Sequence, residues 1–267
     1  MSEAEFPKEL LSVMARMGAK PNLEDHSKGQ LKVSKELSSN GLIRIAPLML
    51  LADIIVGMRL ESFIEDWTFT TDFSLRRTQL TPSKIIQAKS SILRHGKTLF
   101  IEELKYTTEK NIHIGNAQIT FIRTPLRPGD IKPDVSQVRD HMARMQVPPL
   151  DQNIEKLAGI EIKDASTGFV SMTPQQSVQR PGGFVQGAIM TLIGEMSAQT
   201  FAEYHLKKPC VVSGIDVRYL IGGRTGPLTT KANWIGPPDR GSIQVTLFDE
   251  GHDVISCTFL AQVEPCL

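Results

Sequence analysis

The sequence predicts an α+β chain of two similar halves, each an apolar helix wrapped by an antiparallel sheet, with the two sheets joined into one. Three observations predict it. First, "NGLIRIAPLMLLADIIVGM" (residues 40–58) and "GGFVQGAIMTLIGEMSAQ" (residues 182–199) are helical in character, and each carries a single acid, Asp53 or Glu195, among apolar residues. Second, adding 142 to a residue number carries Asp53 onto Glu195, Gly41 onto Gly183, Ala46 onto Ala188, Leu50 onto Leu192 and Arg76 onto Arg218. Third, each of these stretches is followed by four β-rich runs. A helix apolar on all sides must be covered on all sides. A short antiparallel sheet can do that by curling round it, and two such sheets side by side make one larger sheet.

The elements follow in order. Leu10, Val13, Met14 and Met17 have helical spacing and stop at Gly18. Leu150, Ile154, Leu157 and Ala158 repeat that spacing, with Asp151 as N-cap and Gly159 as the stop. A strand and a glycine-containing loop then lead to each apolar helix, expected over 47–60 and 188–202. After the first helix come "TFTTDFSL", "KIIQAKSSIL", "TLFIEELKY" and "AQITFI". After the second come "CVVSGIDVRYL", "LTTKANWI", "SIQVTLF" and "VISCTFLAQV". Turn material such as "RHGK" and "GPPDRGS" separates the strands. Residues 123–150 are rich in proline and charge and read as a linker, with a short helix over Val135–Met145. The halves divide as 1–133 and 134–267.

Composition narrows the function. Thirty lysines and arginines against 29 aspartates and glutamates leave no basic footprint for nucleic acid or an anionic membrane. No run approaches the roughly 20 apolar residues that span a bilayer, and the N-terminus has no apolar run of signal-peptide length. Three cysteines, Cys210, Cys257 and Cys266, form no CxxC and indicate a reducing compartment, so the expected location is cytoplasmic. The six histidines are scattered, no spacing suggests a metal, and there is no G-x-S-x-G elbow or phosphate-binding glycine motif. No cofactor is expected.

The two acid-bearing stretches carry a resemblance. "QGA", Gln186-Gly187-Ala188, stands nine residues before Glu195, counted from Gln186; "RIA", Arg44-Ile45-Ala46, stands in the same relation to Asp53. This is similar to acyl-CoA thioesterases of the phenylacetate-pathway and 4-hydroxybenzoyl-CoA types, which begin the central helix with His-Gly-Gly or His-Gly-Ala and place an Asp or Glu nine positions after the His. The tandem arrangement resembles a double hotdog, over residues 30–122 and 150–264. The histidine is absent from both copies, and the first copy has Ile45 where the glycine belongs.

The resemblance implies thioester hydrolysis, with a helix carboxylate as base or nucleophile and a backbone N–H at the helix start as oxyanion donor. That donor maps to Gly187 and Ile45, with Gly187 facing Asp53 in one site and Ile45 facing Glu195 in the other. Gln186 or Gln199 would orient a carbonyl or a water. The substrate implied is a small-molecule acyl-CoA, its phosphates held by cations such as Arg76, Arg77 and Arg218. The family also implies a homodimer of such chains, with no nucleic acid or membrane partner. Arg76 and Arg218 read equally as solvated strand residues, and a lone acid on an apolar helix reads equally as a structural hydrogen-bond acceptor. A non-catalytic acyl-CoA-binding module and a hotdog hydratase are the competing functions. The hydratase type needs a neighbouring Asp and His, and neither helix has such a pair.

Overall fold

The computed structural model describes residues 12–266 apart from residues 131, 133 and 181. Leu10, the first residue of the predicted opening helix, lies outside them. What remains of that helix is α1 (Val13–Met17), capped by the Ser12 hydroxyl at its start and closed by Gly18 at φ 73°. The first half continues with β1 (Ala19–Pro21), β2 (Lys28–Lys32), the short pair β3 (Ser38–Ser39) and β4 (Leu42–Ile43), then α2 (Ile45–Glu61). Its four long strands are β5 (Trp67–Arg77), β6 (Ile85–His95), β7 (Leu99–Thr108) and β8 (His113–Thr124). The linker forms α3 (Val135–Arg144), where a short helix over Val135–Met145 is predicted. The second half runs α4 (Ile154–Leu157), β9 (Ile160–Asp164), β10 (Phe169–Met172), α5 (Gly187–Leu206), β11 (Cys210–Tyr219), β12 (Leu228–Trp234), β13 (Ser242–Asp249) and β14 (Val254–Pro265).

Twelve strands form one antiparallel sheet in the order β1-β2-β6-β7-β8-β5-β11-β14-β13-β12-β10-β9. The order reads the same from either end: β5 and β11, the strands after each central helix, meet at the middle. There Arg76 lies opposite Gly214 and Asp72 opposite Arg218. Two ion pairs staple the seam, Arg76 Nη2 to Asp216 Oδ2 at 2.6 Å and Arg218 Nε to Asp72 Oδ1 at 3.0 Å. Helix α3, given to the second half by a division at 133/134, packs on β1 and α2 of the first.

Both central helices are buried nearly all round, α2 over residues 45–52, 54–56 and 60, and α5 over 188–199, 201 and 202. They also touch each other. Close packing explains Gly194: a Cβ there would stand 2.6 Å from the Phe259 ring on β14. Gly194→Ala is therefore expected to destabilise the chain by about 1–3 kcal/mol through overpacking. Denaturant unfolding would measure it, and unchanged stability would show that the ring moves aside freely. No helix among the described residues is long and apolar enough to cross a membrane.

Candidate active site

Each central helix starts at its predicted triplet, with Arg44 as the N-cap residue of α2 and Gln186 as that of α5. A helix start leaves backbone N–H groups without intrahelical partners and carries the positive end of the dipole. Two sites for negative charge result, and the sequence treats them differently.

At the start of α5, the Gln186 side chain folds back so that its Oε1 accepts from the Ala188 N–H at 2.5 Å. This fixes the amide, and its Nε2 donates to Asp53 Oδ2 at 3.2 Å. The other carboxylate oxygen accepts from the Thr70 hydroxyl at 2.5 Å. A register shift between Thr70 and Asp72, a β-bulge, sets the local phase of β5 here. The Gly187 N–H has no hydrogen-bond partner among the described residues. On the other side of Gly187, an added Cβ would meet the Met49 methyl at 3.2 Å and the Tyr219 ring at 3.5 Å. The Tyr219 and Thr191 hydroxyls, 2.6 Å apart, both reach the Gly187 carbonyl. Burial pushes the Asp53 carboxyl above the ordinary aspartate range, opposed by Thr70, the Arg180 cation and Gln186. Arg180 stands with its guanidinium 5.1 Å over the Phe69 ring.

At the start of α2 the hole is filled. Glu195, only 3 % exposed, reaches 150 residues back along the sequence and lays its carboxylate on the helix end. The Ile45 N–H donates to both oxygens, at 2.9 and 3.0 Å, and the Ala46 N–H to Oε2 at 3.1 Å. Burial pushes the Glu195 carboxyl up, against the cations of Arg44 and Arg77 and the two N–H groups. Arg44 is itself held by Gln199 at 3.1 Å and Glu155 at 3.0 Å. Arg77 donates to the Ile43 and Val212 carbonyls. The space left among these groups is about 10 Å³, enough for about one water.

The structure thus brings Asp53, Gln186 and Gly187 together, and Ile45 and Glu195 together. Three expectations need correcting. Ile45 and Glu195 bind each other, so the N–H read as an oxyanion donor already holds a carboxyl group. Gln199 orients Arg44, Ser39 and Glu203 instead of a carbonyl or a water. Arg76 and Arg218 serve the seam between the halves, and Arg77 lines the filled hole, so none of the three stands as a free cation at the Asp53 site. Sequence reasoning missed Thr70, Tyr219, Thr191 and Arg180. Thr70 lies in the "TFTTDFSL" strand, but the bulge that sets its phase is not written in the alternation.

No family model and no curated sequence matches the chain. Solved structures do. An acyl-ACP thioesterase from Bacteroides thetaiotaomicron superposes with a TM-score of 0.61 at 11% identity, covering 91% of this chain and 100% of that one. A tesB protein of Mycobacterium avium subsp. paratuberculosis gives 0.61 at 10%, covering 96% and 98%. A protein of Alicyclobacillus acidocaldarius described as having a hot dog fold gives 0.59 at 10%, covering 95% and 98%. At such identities the likeness is one of fold, and with the twelve-stranded sheet and its two swaddled helices it makes the chain a double hotdog.

Proposed function

We propose that the chain hydrolyses an acyl thioester, at a single site built from Asp53, Thr70, Gln186 and Gly187. The observation that carries this reading is the pairing of a half-buried carboxylate of raised pKa with an N–H at a helix start that has no partner among the described residues. Similar structures include one that is a thioesterase by name, the acyl-ACP thioesterase, which supports the reaction class. In the proposed step Asp53 takes a proton from a water as its oxygen attacks the thioester carbon. The carbonyl oxygen, now negative, accepts from the Gly187 N–H and lies at the positive end of α5. Gln186, held at both ends, keeps the carboxylate aimed, and its second N–H remains for the water. Collapse of the tetrahedral intermediate breaks the carbon–sulfur bond, and the proton on Asp53 passes to the leaving thiolate. The products are a carboxylic acid and a free thiol. Coenzyme A is the carrier proposed.

Free-thiol release from a panel of aryl-, short-chain and long-chain acyl-CoA esters tests the reading. Turnover of at least one class is expected. A chain that binds a non-hydrolysable acyl-CoA analogue tightly and hydrolyses no ester would be the binding module instead. The pH dependence carries a further expectation. A base works only when deprotonated, so kcat/KM should fall as pH drops through the Asp53 pKa. Because burial raises that value, the acid limb should lie above the ordinary aspartate value of about 3.9. A limb at or below it would remove Asp53 as the base.

A further inference from the structure

Far from the helix starts, the outer face of the first half carries an unusual row of charge. Lys28 on β2 lies directly opposite Lys89 on β6, and Lys89 directly opposite Lys105 on β7. All three are exposed, while Gly29, Ala88 and Leu104 beside them face the core. Directly opposed side chains in an antiparallel pair start about 4.5–5.5 Å apart, and like charges there are destabilising. Lysines often guard the edge of a sheet, but β6 and β7 are interior strands with partners on both sides. The row one step along the same strands avoids the conflict, since Ser91 bonds Glu103 at 3.0 Å. Lys28 is paired with Asp25 at 2.8 Å, whereas Lys89 and Lys105 have no ion-pair partner among the described residues.

This row forms the floor of a trough of about 1000 Å³. The loop between β1 and β2 rises along one side, with Lys20 at its foot and Glu24 as the one acid of the lining. Gln30, Gln87 and Thr107 add amides and a hydroxyl. The geometry points to this trough as a binding site for a small molecule carrying two or more phosphate groups. Its size is at the upper end for small-molecule sites, about 300–1,000 Å³. A protein partner would need roughly 800 Å² a side with an apolar centre, and this floor is ammonium and amide. Lysine ammoniums are compact cations that suit phosphate oxygens, and a bound polyanion would relieve their mutual repulsion. The site does not depend on the reaction proposed for Asp53.

Inorganic triphosphate is the probe, titrated calorimetrically into the full chain at about 50 mM salt. Binding to one site is expected, weakening steeply as salt is raised. Lys89→Glu should weaken it at least tenfold, while Lys231→Glu, on β12 of the other half, should leave it unchanged. Lys89→Glu also places unlike charges opposite Lys28 and Lys105, so its Tm should rise even as binding is lost. A misfolded variant could not show that combination. The phosphates' origin is read from acyl-CoA kinetics: a raised KM in Lys89→Glu makes them the substrate's own, and an unchanged KM makes them a separate ligand's. No triphosphate binding at millimolar concentration, or equal binding by Lys89→Glu, would overturn the proposal. So would capture of a polyglutamate peptide without triphosphate, which would give the face to an acidic protein.

Discussion

Asp53→Asn is expected to lower the rate of thioester hydrolysis by ~10² or more, the scale of losing a positioned general base. Asparagine keeps the size of the side chain: its one amide oxygen can accept from Gln186 while its NH2 donates to the Thr70 hydroxyl, the two groups that hold the Asp53 oxygens. It cannot take a proton from water. The loss should therefore appear in kcat, with KM and Tm little changed, and the acid limb of the pH profile should vanish. Glu195→Gln should leave kcat nearly intact by comparison. The reverse pattern, with turnover lost in Glu195→Gln and kept in Asp53→Asn, would move the chemistry to the start of α2. If neither change moved the rate, both helix acids would be structural.

Glu195→Ala is expected to have its largest effect on stability. The substitution removes the carboxylate on which Ile45, Ala46, Arg44 and Arg77 converge, leaving Arg44 with Glu155 as its carboxylate partner. Breaking a buried pair by removing one partner costs about 3–5 kcal/mol, because charges and donors remain without a counterpart. Denaturant unfolding should show a loss of that order. Formate or acetate should restore part of it, since an anion that binds only the folded chain stabilises it by mass action. Glu195→Gln should lose less, as its amide oxygen can still accept from Ile45. Parent-like stability in Glu195→Ala would mean that the carboxylate does not hold the helix end.

The two central helices and the eight long strands were legible because burial on all sides and alternation are local signals, written in consecutive residues. The family resemblance, through the nine-residue spacing from Gln186 or Arg44 to an acid, pointed to both helix starts. What the sequence could not show is where a side chain ends. Glu195 and Ile45 are 150 positions apart, and nothing in either stretch distinguishes a carboxylate facing an open hole from one filling it. The added methylene of Glu195 relative to Asp53 was visible, but its consequence depends on how closely α2 and α5 approach. Arg76 and Arg218 repeat at the same offset as the helix acids, which suggested a shared task. The shared task is the seam, because equivalent strands that pair about a local twofold bring equivalent residues to each other's aspartates.

That seam has a consequence for symmetry. When two separate identical subunits build such a sheet, every substitution appears twice, and any group that plugs one hole plugs both. Covalent fusion removes that constraint. Here the two halves hold the same architecture with unlike helix starts, one with a glycine whose N–H has no partner among the described residues, the other with an isoleucine whose N–H holds an internal carboxyl group. One half can hence be fixed as ballast while the other, in the reaction proposed above, receives the ligand, a division of labour that a symmetric pair cannot encode.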